Sequence, residues 1–157
     1  MRPAEELRYL ILAIQREGNR LLATDLRPLG VTPSQAEVIR VLADHQPLTL
    51  LGLGQLLVCE TGGSPSRLVD RLVLAGLIGR ETDPADRRQV TLVLTEEGER
   101  LAAEIAGVEQ RLYQTIDELI EGAPVQETLA LLRTFADAFP AGQAVARRAT
   151  TNRKATP

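Results

Sequence analysis

The apolar residues of this chain depart from a helical spacing in one segment, and that departure limits what the chain can fold into. Up to about residue 75 they recur every three to four positions, which is the period of an α-helix. Between residues 77 and 94 they alternate instead, and a polar, proline-containing stretch (83–88) interrupts the alternation. Two alternating runs around such a stretch predict a β-hairpin with a projecting loop. The chain is therefore expected to be mainly α with a small β-hairpin wing.

Helix start signals are frequent in the rest of the chain. Thr32-Pro33-Ser34-Gln35 combines a capping threonine, a proline suited to the first helical position and a glutamine that completes a capping box. A capping residue and proline recur at residues 64–65, and threonines at positions 49 and 95 can cap two further helices. The predicted helices span about 4–26, 33–43, 50–57, 65–75, 96–121 and 124–139.

The order of these elements indicates a winged helix. Short helices joined by a turn precede the hairpin, so residues from about 33 to 94 predict a winged helix-turn-helix. Two helices and a hairpin also occur in unrelated helical proteins, and that alternative stays open at this point. The length of the chain favours a single domain, which we expect to span residues 1–140.

Net charge by itself does not favour a nucleic-acid partner. Residues 141–157 hold Arg147, Arg148, Arg153 and Lys154 and no acidic residue, and their polarity predicts a disordered basic tail. The other residues carry 14 basic and 21 acidic side chains, a formal charge of −7. A basic domain is the usual footprint of a DNA-binding protein. Any case for DNA must therefore rest on where particular arginines lie.

Several classes of protein are disfavoured by what the sequence contains. Aromatic residues make up only 3%, which is poor for stacking single-stranded nucleic acid. One histidine (His45) and one distant cysteine do not form a metal site, and we find no nucleophile motif, phosphate loop or cofactor motif. The chain is expected not to be an enzyme. Without a membrane-length apolar run or a signal peptide, it is expected to be cytoplasmic and to have no membrane partner.

The predicted helix at 65–75 presents residues suited to DNA. Arg67 and Arg71 lie one turn apart near its start, on a different face from its apolar stripe. Arginines so placed can enter a major groove and reach guanine edges, while the hydroxyl of Ser64 or Ser66 can bind phosphate. The alternative is a solvated face on which Arg67 pairs with Asp70 or with the glutamate at position 60.

The hairpin tip adds a second candidate contact. Arg87 and Arg88 lie in a loop that can approach a DNA backbone or a narrow minor groove, whose negative potential attracts arginine. Asp86 lies two residues before Arg88 and can orient its side chain by a charge-assisted hydrogen bond. The alternative is a surface ion pair that contributes little.

Four runs of this sequence (64–72, 75–80, 83–88 and 90–98) together resemble the MarR (multiple antibiotic resistance regulator) family. The most specific part is Asp86-x-Arg88, followed at a fixed distance by Leu-Thr-x-x-Gly at residues 94–98. Residues 32–36 match the family's entry to its second helix. The resemblance covers about residues 4–140 and is weakest over 49–63, before the recognition helix.

The resemblance implies a homodimeric transcription regulator that binds a pseudo-palindromic operator in double-stranded DNA. Its first helix (about 4–26) and last helices (about 96–139) would form the dimer, and apolar stripes at both ends of the chain agree with this. The recognition helix would read the major groove and Arg88 the flanking minor groove. Many relatives are repressors released by a small, often aromatic, acid, so a small-molecule effector is expected here.

Two other functions remain open in the sequence. The first is a winged-helix protein-interaction module that has lost DNA binding, which the acidic net charge favours slightly. The second is a redox sensor based on Cys59, the only cysteine, which precedes the turn into the recognition helix. Its apolar neighbours at residues 56–58 favour a buried and inert thiol over a reactive one.

Overall fold

The computed structural model describes residues 1–59, 64–82, 86 and 88–154. Its helices and strands follow one another in the order expected of a winged helix. They are α1 (Pro3–Leu26), a 3-10 turn (Arg27–Leu29), α2 (Pro33–His45), β1 (Leu48–Thr49), α3 (Leu50–Gly54), α4 (Pro65–Leu74), β2 (Ile78–Thr82), β3 (Val90–Leu94), α5 (Glu96–Leu119), α6 (Val125–Ala136) and α7 (Pro140–Lys154). The expected fold class, mainly α with a β-hairpin wing, is confirmed.

The predicted hairpin is part of a three-stranded antiparallel sheet with the order β1-β3-β2. β2 and β3 pair from Ile78 opposite Leu94 to Thr82 opposite Val90, so the tip lies at the far end from α5. β1 adds Leu48 opposite Leu92 on the other side of β3. Two residues are too few to show alternation, so β1 could not be predicted from the sequence.

Capping threonines start the helices where the sequence predicts. Thr32 Oγ1 accepts the backbone N–H of Gln35 at 3.3 Å, and the Gln35 side chain accepts the backbone N–H of Thr32 at 2.9 Å. Thr49 Oγ1 accepts from the backbone N–H of Gly52 at 3.0 Å, although α3 ends at Gly54 and is shorter than expected. These caps satisfy backbone N–H groups that have no partner within their own helix.

The Leu-Thr-x-x-Gly element joins the wing to α5. Thr95 Oγ1 donates to the backbone carbonyl of Gly76 at 2.7 Å and accepts from the backbone N–H of Gly98 at 3.1 Å. A Cβ on Gly98 would overlap the backbone carbonyl of Leu77. This close contact explains physically why a glycine lies four residues after Leu94.

One apolar core joins α1, α2, α3, α4, the sheet and the first half of α5. It contains aliphatic side chains and no aromatic ring, as the composition predicts. Its largest fully buried members are Leu26, Val38, Ile39, Leu42, Leu53, Val69, Leu72 and Ile105. The core holds α4 and the wing in one rigid unit.

Both ends of the chain leave large apolar side chains exposed. Ile14 on α1 and Leu119 at the end of α5 are 72% and 80% exposed. Phe135 in the last turn of α6 and Phe139, three residues after that helix, are each half exposed. The two phenylalanine rings pack against each other with centroids 5.6 Å apart. Much of these apolar surfaces is left uncovered by the described part of the chain.

The prediction of a disordered tail from residue 141 is wrong for the described residues, because they form helix α7. Gly142 and Ala144 are buried, and Arg147 and Arg148 contact the helix-turn-helix. The sequence looked disordered because the segment has no apolar period. Its helix is held by polar contacts and close packing instead. The side chains of residues 151–154 lie outside the described part.

Candidate DNA-binding surface

Helix α4 buries one face and exposes the other. Leu68, Val69 and Leu72 are buried in the core, at 6%, 1% and 1% exposure. Arg67 and Arg71 are exposed on the outer side, one turn apart, as predicted from the sequence. The described residues hold neither guanidinium in an ion pair, so both are available to a partner.

The start of α4 differs from its prediction in one respect. Ser64 occupies the N-cap position, but its side chain caps no backbone N–H of the helix. Its Oγ instead lies 2.7 Å from Oγ of Ser66, and either hydroxyl can be the donor. The predicted serine cap is therefore wrong. The two hydroxyls lie together at the N-terminus of α4, where the helix dipole favours a phosphate.

The carboxylate expected as a partner of Arg67 has another partner. Asp70 on α4 pairs with Arg80 on β2. The position of residue 60, the other candidate partner, lies outside the described residues. The Asp70–Arg80 pair joins the recognition helix to the wing, but both side chains are about half exposed, so its contribution to stability is small.

At the wing tip, Asp86 and Arg88 are exposed, and Arg87 lies outside the described residues. Asp86 Oδ1 accepts the backbone N–H of Arg88 at 3.0 Å, and the Asp86 carbonyl accepts the backbone N–H of Gln89 at 2.9 Å. The sequence predicted a bond to the Arg88 guanidinium, so that detail is wrong. Asp86 thus holds the backbone at Arg88 and Gln89, and the Arg88 side chain remains exposed.

Cys59 lies half-buried beside Glu37 of α2, whose carboxylate accepts the backbone N–H of Cys59 at 2.9 Å. Burial, and then the negative charge of Glu37, raise the pKa of the thiol to about 11. Reactive cysteines need a thiolate near neutral pH. The environment of Cys59 therefore disfavours the redox alternative.

A polar cavity of about 180 Å³ was not anticipated from the sequence. Arg40 of α2 donates from Nε to Glu109 of α5 at 3.1 Å, and burial raises the pKa of Glu109. The Nδ1 atom of His45 is buried there with no hydrogen-bond partner among the described residues. Arg40 and Glu109 are 69 positions apart, so no local pattern could reveal the pair. The lining residues are Arg40, Val41, Asp44, His45, Glu109, Tyr113 and Arg148.

The winged-helix fold and the exposed arginines agree with the known proteins to which this chain is similar. Residues 31–98 match the model of the winged helix DNA-binding domain. The transcriptional regulator FarR of Neisseria gonorrhoeae is 32% identical over 108 residues, which cover 66% of this chain and 73% of FarR. The multiple antibiotic resistance protein MarR of Salmonella typhimurium is 33% identical over 89 residues, which cover 57% of this chain and 61% of MarR.

This chain belongs to the MarR family. A solved structure of Escherichia coli MarR complexed with operator DNA is 28% identical, with a TM-score of 0.68. The match covers 86% of this chain and 94% of that one. The relatives are DNA-binding transcriptional regulators and not enzymes. The expectation of a DNA-binding transcriptional regulator and the expectation that the chain is not an enzyme are therefore confirmed.

Family membership gives the exposed arginines a context. The recognition helix and wing that carry Arg67, Arg71 and Arg88 lie within the matched residues 31–98.

Among the described residues, no helix is both long and apolar enough to cross a membrane. The same part of the chain contains no cluster of potential metal ligands.

Proposed function

We propose that this MarR-family regulator acts as a homodimeric repressor on a pseudo-palindromic operator and is released by a small-molecule effector. The observation that carries the DNA contact is the placement of three exposed arginines. Arg67 and Arg71 project from one face of α4, and Arg88 projects from the wing tip that Asp86 orders. In a protein of formal charge −3, DNA affinity must come from such placement and not from bulk charge. Its relatives are bacterial proteins, and in a bacterial cell the chromosome lies in the cytoplasm. We therefore expect this regulator to act in the cytoplasm.

Ser64, Ser66 and Arg87 complete the proposed contact set. The paired hydroxyls at the start of α4 suit a phosphate, and Arg87 is adjacent to Arg88 in the sequence. The recognition helix would read base edges in the major groove, and Arg88 would enter the flanking minor groove. Positioning contacts to phosphate and reading contacts to bases thus come from different residues.

The proposed dimer rests on the exposed apolar side chains of α1, the end of α5 and α6. A soluble chain rarely leaves so many large apolar groups in water. A second copy would cover them, and a two-fold dimer would present two recognition helices to a two-fold operator. The exposed members include Tyr9, Leu10, Ile14, Leu119, Leu129, Leu131, Phe135 and Phe139.

Sedimentation and a salt titration on duplex DNA test this function. We expect a dimer in solution whose duplex affinity falls steeply as salt rises, because lysine and arginine contacts release counterions from DNA. Deleting residues 125–157 should abolish both dimerisation and tight DNA binding. A deletion variant that still sediments as a dimer would contradict the proposed interface, and salt-independent or absent duplex binding would favour the protein-interaction module.

The polar cavity is the proposed effector site. Arg40 and Arg148 line it together with the carboxylates of Asp44 and Glu109, and Nδ1 of His45 has no hydrogen-bond partner among the described residues. A small carboxylic acid would bind there by replacing Glu109 as the partner of Arg40. Benzoate is a suitable probe of this class. We expect it to raise the melting temperature of the wild type but not of Arg40→Met, and to release DNA. Equal shifts in both proteins would place the ligand elsewhere.

A further inference from the structure

Helix α7 is an addition to the part of the sequence that resembles the family, which ends near residue 140. Three residues separate it from α6, and it folds back against the end of that helix. Gly142 is buried at this junction, and a Cβ there would overlap the backbone carbonyl of Ala136 and lie 2.7 Å from its Cβ. Ala144, one residue further, is 2% exposed. Small residues therefore seat α7 in one position.

Two consecutive arginines of α7 contact the turn of the helix-turn-helix. Arg148 donates from Nε to the backbone carbonyl of Leu56 at 2.7 Å. Arg147 donates to the backbone carbonyl of Gln55 at 3.1 Å. Residues 55 and 56 directly follow α3, where the last carbonyls of a helix lack partners within it. The end of the chain thus completes hydrogen bonds 92 residues away.

The same arginine neutralises the carboxylate that holds the rest of the turn. Arg148 also donates from Nη2 to Glu37 of α2, whose side chain is only 9% exposed. Glu37 in turn accepts the backbone N–H groups of Val58 at 2.8 Å and Cys59 at 2.9 Å. A carboxylate this buried is costly once its cationic partner is lost. Residues 56–59 after α3 are therefore held through Arg148, directly at Leu56 and by way of Glu37 at Val58 and Cys59.

We propose that α7 is a strap in which Arg148, assisted by Arg147, is a positioning residue for the recognition helix. It fixes residues 55–59, which follow α3, and through them the orientation in which α4 meets DNA. The effect on DNA rests on the proposed function, whereas the effect on the turn does not. Two of the four basic residues in the last segment are thereby engaged with protein and are not free to act as a loose phosphate-binding tail.

Cys59 supplies a direct probe of the turn, because it is the only cysteine. Its alkylation by iodoacetamide at mildly alkaline pH reports both thiolate fraction and access. Arg148→Met removes a charge that lowers the pKa of Cys59, so electrostatics alone predicts slower alkylation. Loss of the strap opens the turn and predicts alkylation faster by about fivefold or more. The two explanations predict opposite signs.

Three further variants complete this experiment in the full-length chain. Arg148→Lys keeps the charge but loses the two-pronged contact, so the strap predicts faster alkylation and electrostatics predicts no change. Gly142→Ala unseats α7 without altering charge, and it should also accelerate alkylation. Arg100→Met, which removes an exposed arginine paired with Glu97, is the matched control and should have no effect. If Arg148→Met does not fold, Arg148→Lys and Gly142→Ala decide; unchanged or slower alkylation in these variants overturns the strap.

DNA binding gives a second readout and separates this proposal from the proposed function. Arg148→Met should weaken binding to a selected operator by about tenfold, the scale of one lost base-pair contact, and should weaken binding to random duplex far less. Equal losses on both duplexes together with unchanged alkylation would mean that Arg148 is a phosphate contact, which overturns the strap. If wild-type protein binds no duplex, the proposed function fails and alkylation still decides the strap.

Discussion

At the scale of single residues, the wing tip carries one carboxylate, Asp86, that we expect to assist DNA binding despite its charge. Asp86 accepts the backbone N–H of Arg88, so it fixes the chain path from which the arginine side chain leaves. Order in the backbone reduces the entropy lost when the guanidinium enters a groove. The negative charge of Asp86 repels DNA and so lowers the binding affinity. The net effect of backbone order and charge on the affinity can be measured.

We expect Asp86→Ala to weaken operator binding, although it makes the protein less acidic by one charge. Asp86→Asn is the matched control, because its side-chain oxygen can still accept the Arg88 N–H while the charge is lost. Asn should therefore bind at least as well as wild type. Fluorescence anisotropy at two salt concentrations measures this. Tighter binding by the alanine variant, with a gain that shrinks at higher salt, would mean that Asp86 is only a repulsive charge.

The pKa of Cys59 makes a prediction about pH. Because burial and Glu37 raise that pKa from 9.0 to about 11, the thiolate fraction well below pH 9 is lower by a factor of about 100. Alkylation of the native protein should be correspondingly slow and should keep rising with pH beyond pH 9. Rates measured across alkaline pH, compared with the unfolded chain in denaturant, check this. A plateau below pH 9 would indicate an activated thiol and revive the redox alternative.

At the scale of elements, α4 links the apolar core to the proposed DNA contact. Replacing Arg67 or Arg71 by Ala should cost about 1–3 kcal/mol of binding where the arginine is bidentate to a base, with relaxed preference at that base pair. A uniform loss across sequences would instead assign it to phosphate. Arg20→Ala on α1, an exposed arginine paired with Glu17, should leave affinity unchanged. Unchanged affinity in both α4 variants would contradict DNA reading by this helix.

The junction of wing and α5 makes a prediction about stability. Gly98→Ala forces a Cβ into the Leu77 carbonyl, so the free energy of unfolding should fall by about 1–3 kcal/mol. Gly107→Ala is its control in the same helix. Position 107 is exposed, with no atom closer than 4.0 Å to an added Cβ, so alanine should stabilise by about 0.5–1 kcal/mol. Urea unfolding of both variants measures the difference, and equal effects would contradict the close contact.

Elements with local signals could be predicted from the sequence, and those held by distant contacts could not. The capping box at Thr32 and the alternation of β3 are encoded within a few residues, and both formed as predicted. Helix α7 depends on Arg148 meeting Glu37, 111 positions earlier, and its own sequence has no apolar stripe to announce it. The exposed arginines of α4 were predicted because a helical period places them on a different face from the buried one. The role of Asp86 required backbone geometry.

At the scale of the whole molecule, the proposed two-fold dimer would connect the exposed apolar surfaces with the proposed DNA-binding surface. The terminal helices leave apolar side chains uncovered, and the winged helix presents a single recognition helix per chain. A two-fold dimer would cover the apolar side chains and would present two recognition helices. Half-sites bound by such a dimer lie about one helical turn apart, so the arrangement of bases in the operator reports the arrangement of subunits.

Selection of bound sequences from a pool of random duplex DNA tests most directly whether the chain is a dimeric regulator that reads DNA sequence. We expect enrichment of a pseudo-palindrome whose two half-sites are about 10 base pairs apart, centre to centre. Arg71→Ala should enrich a sequence relaxed at symmetric positions in both halves. No enrichment at all, or enrichment of a single half-site without a symmetric partner, would contradict a dimeric, sequence-reading regulator.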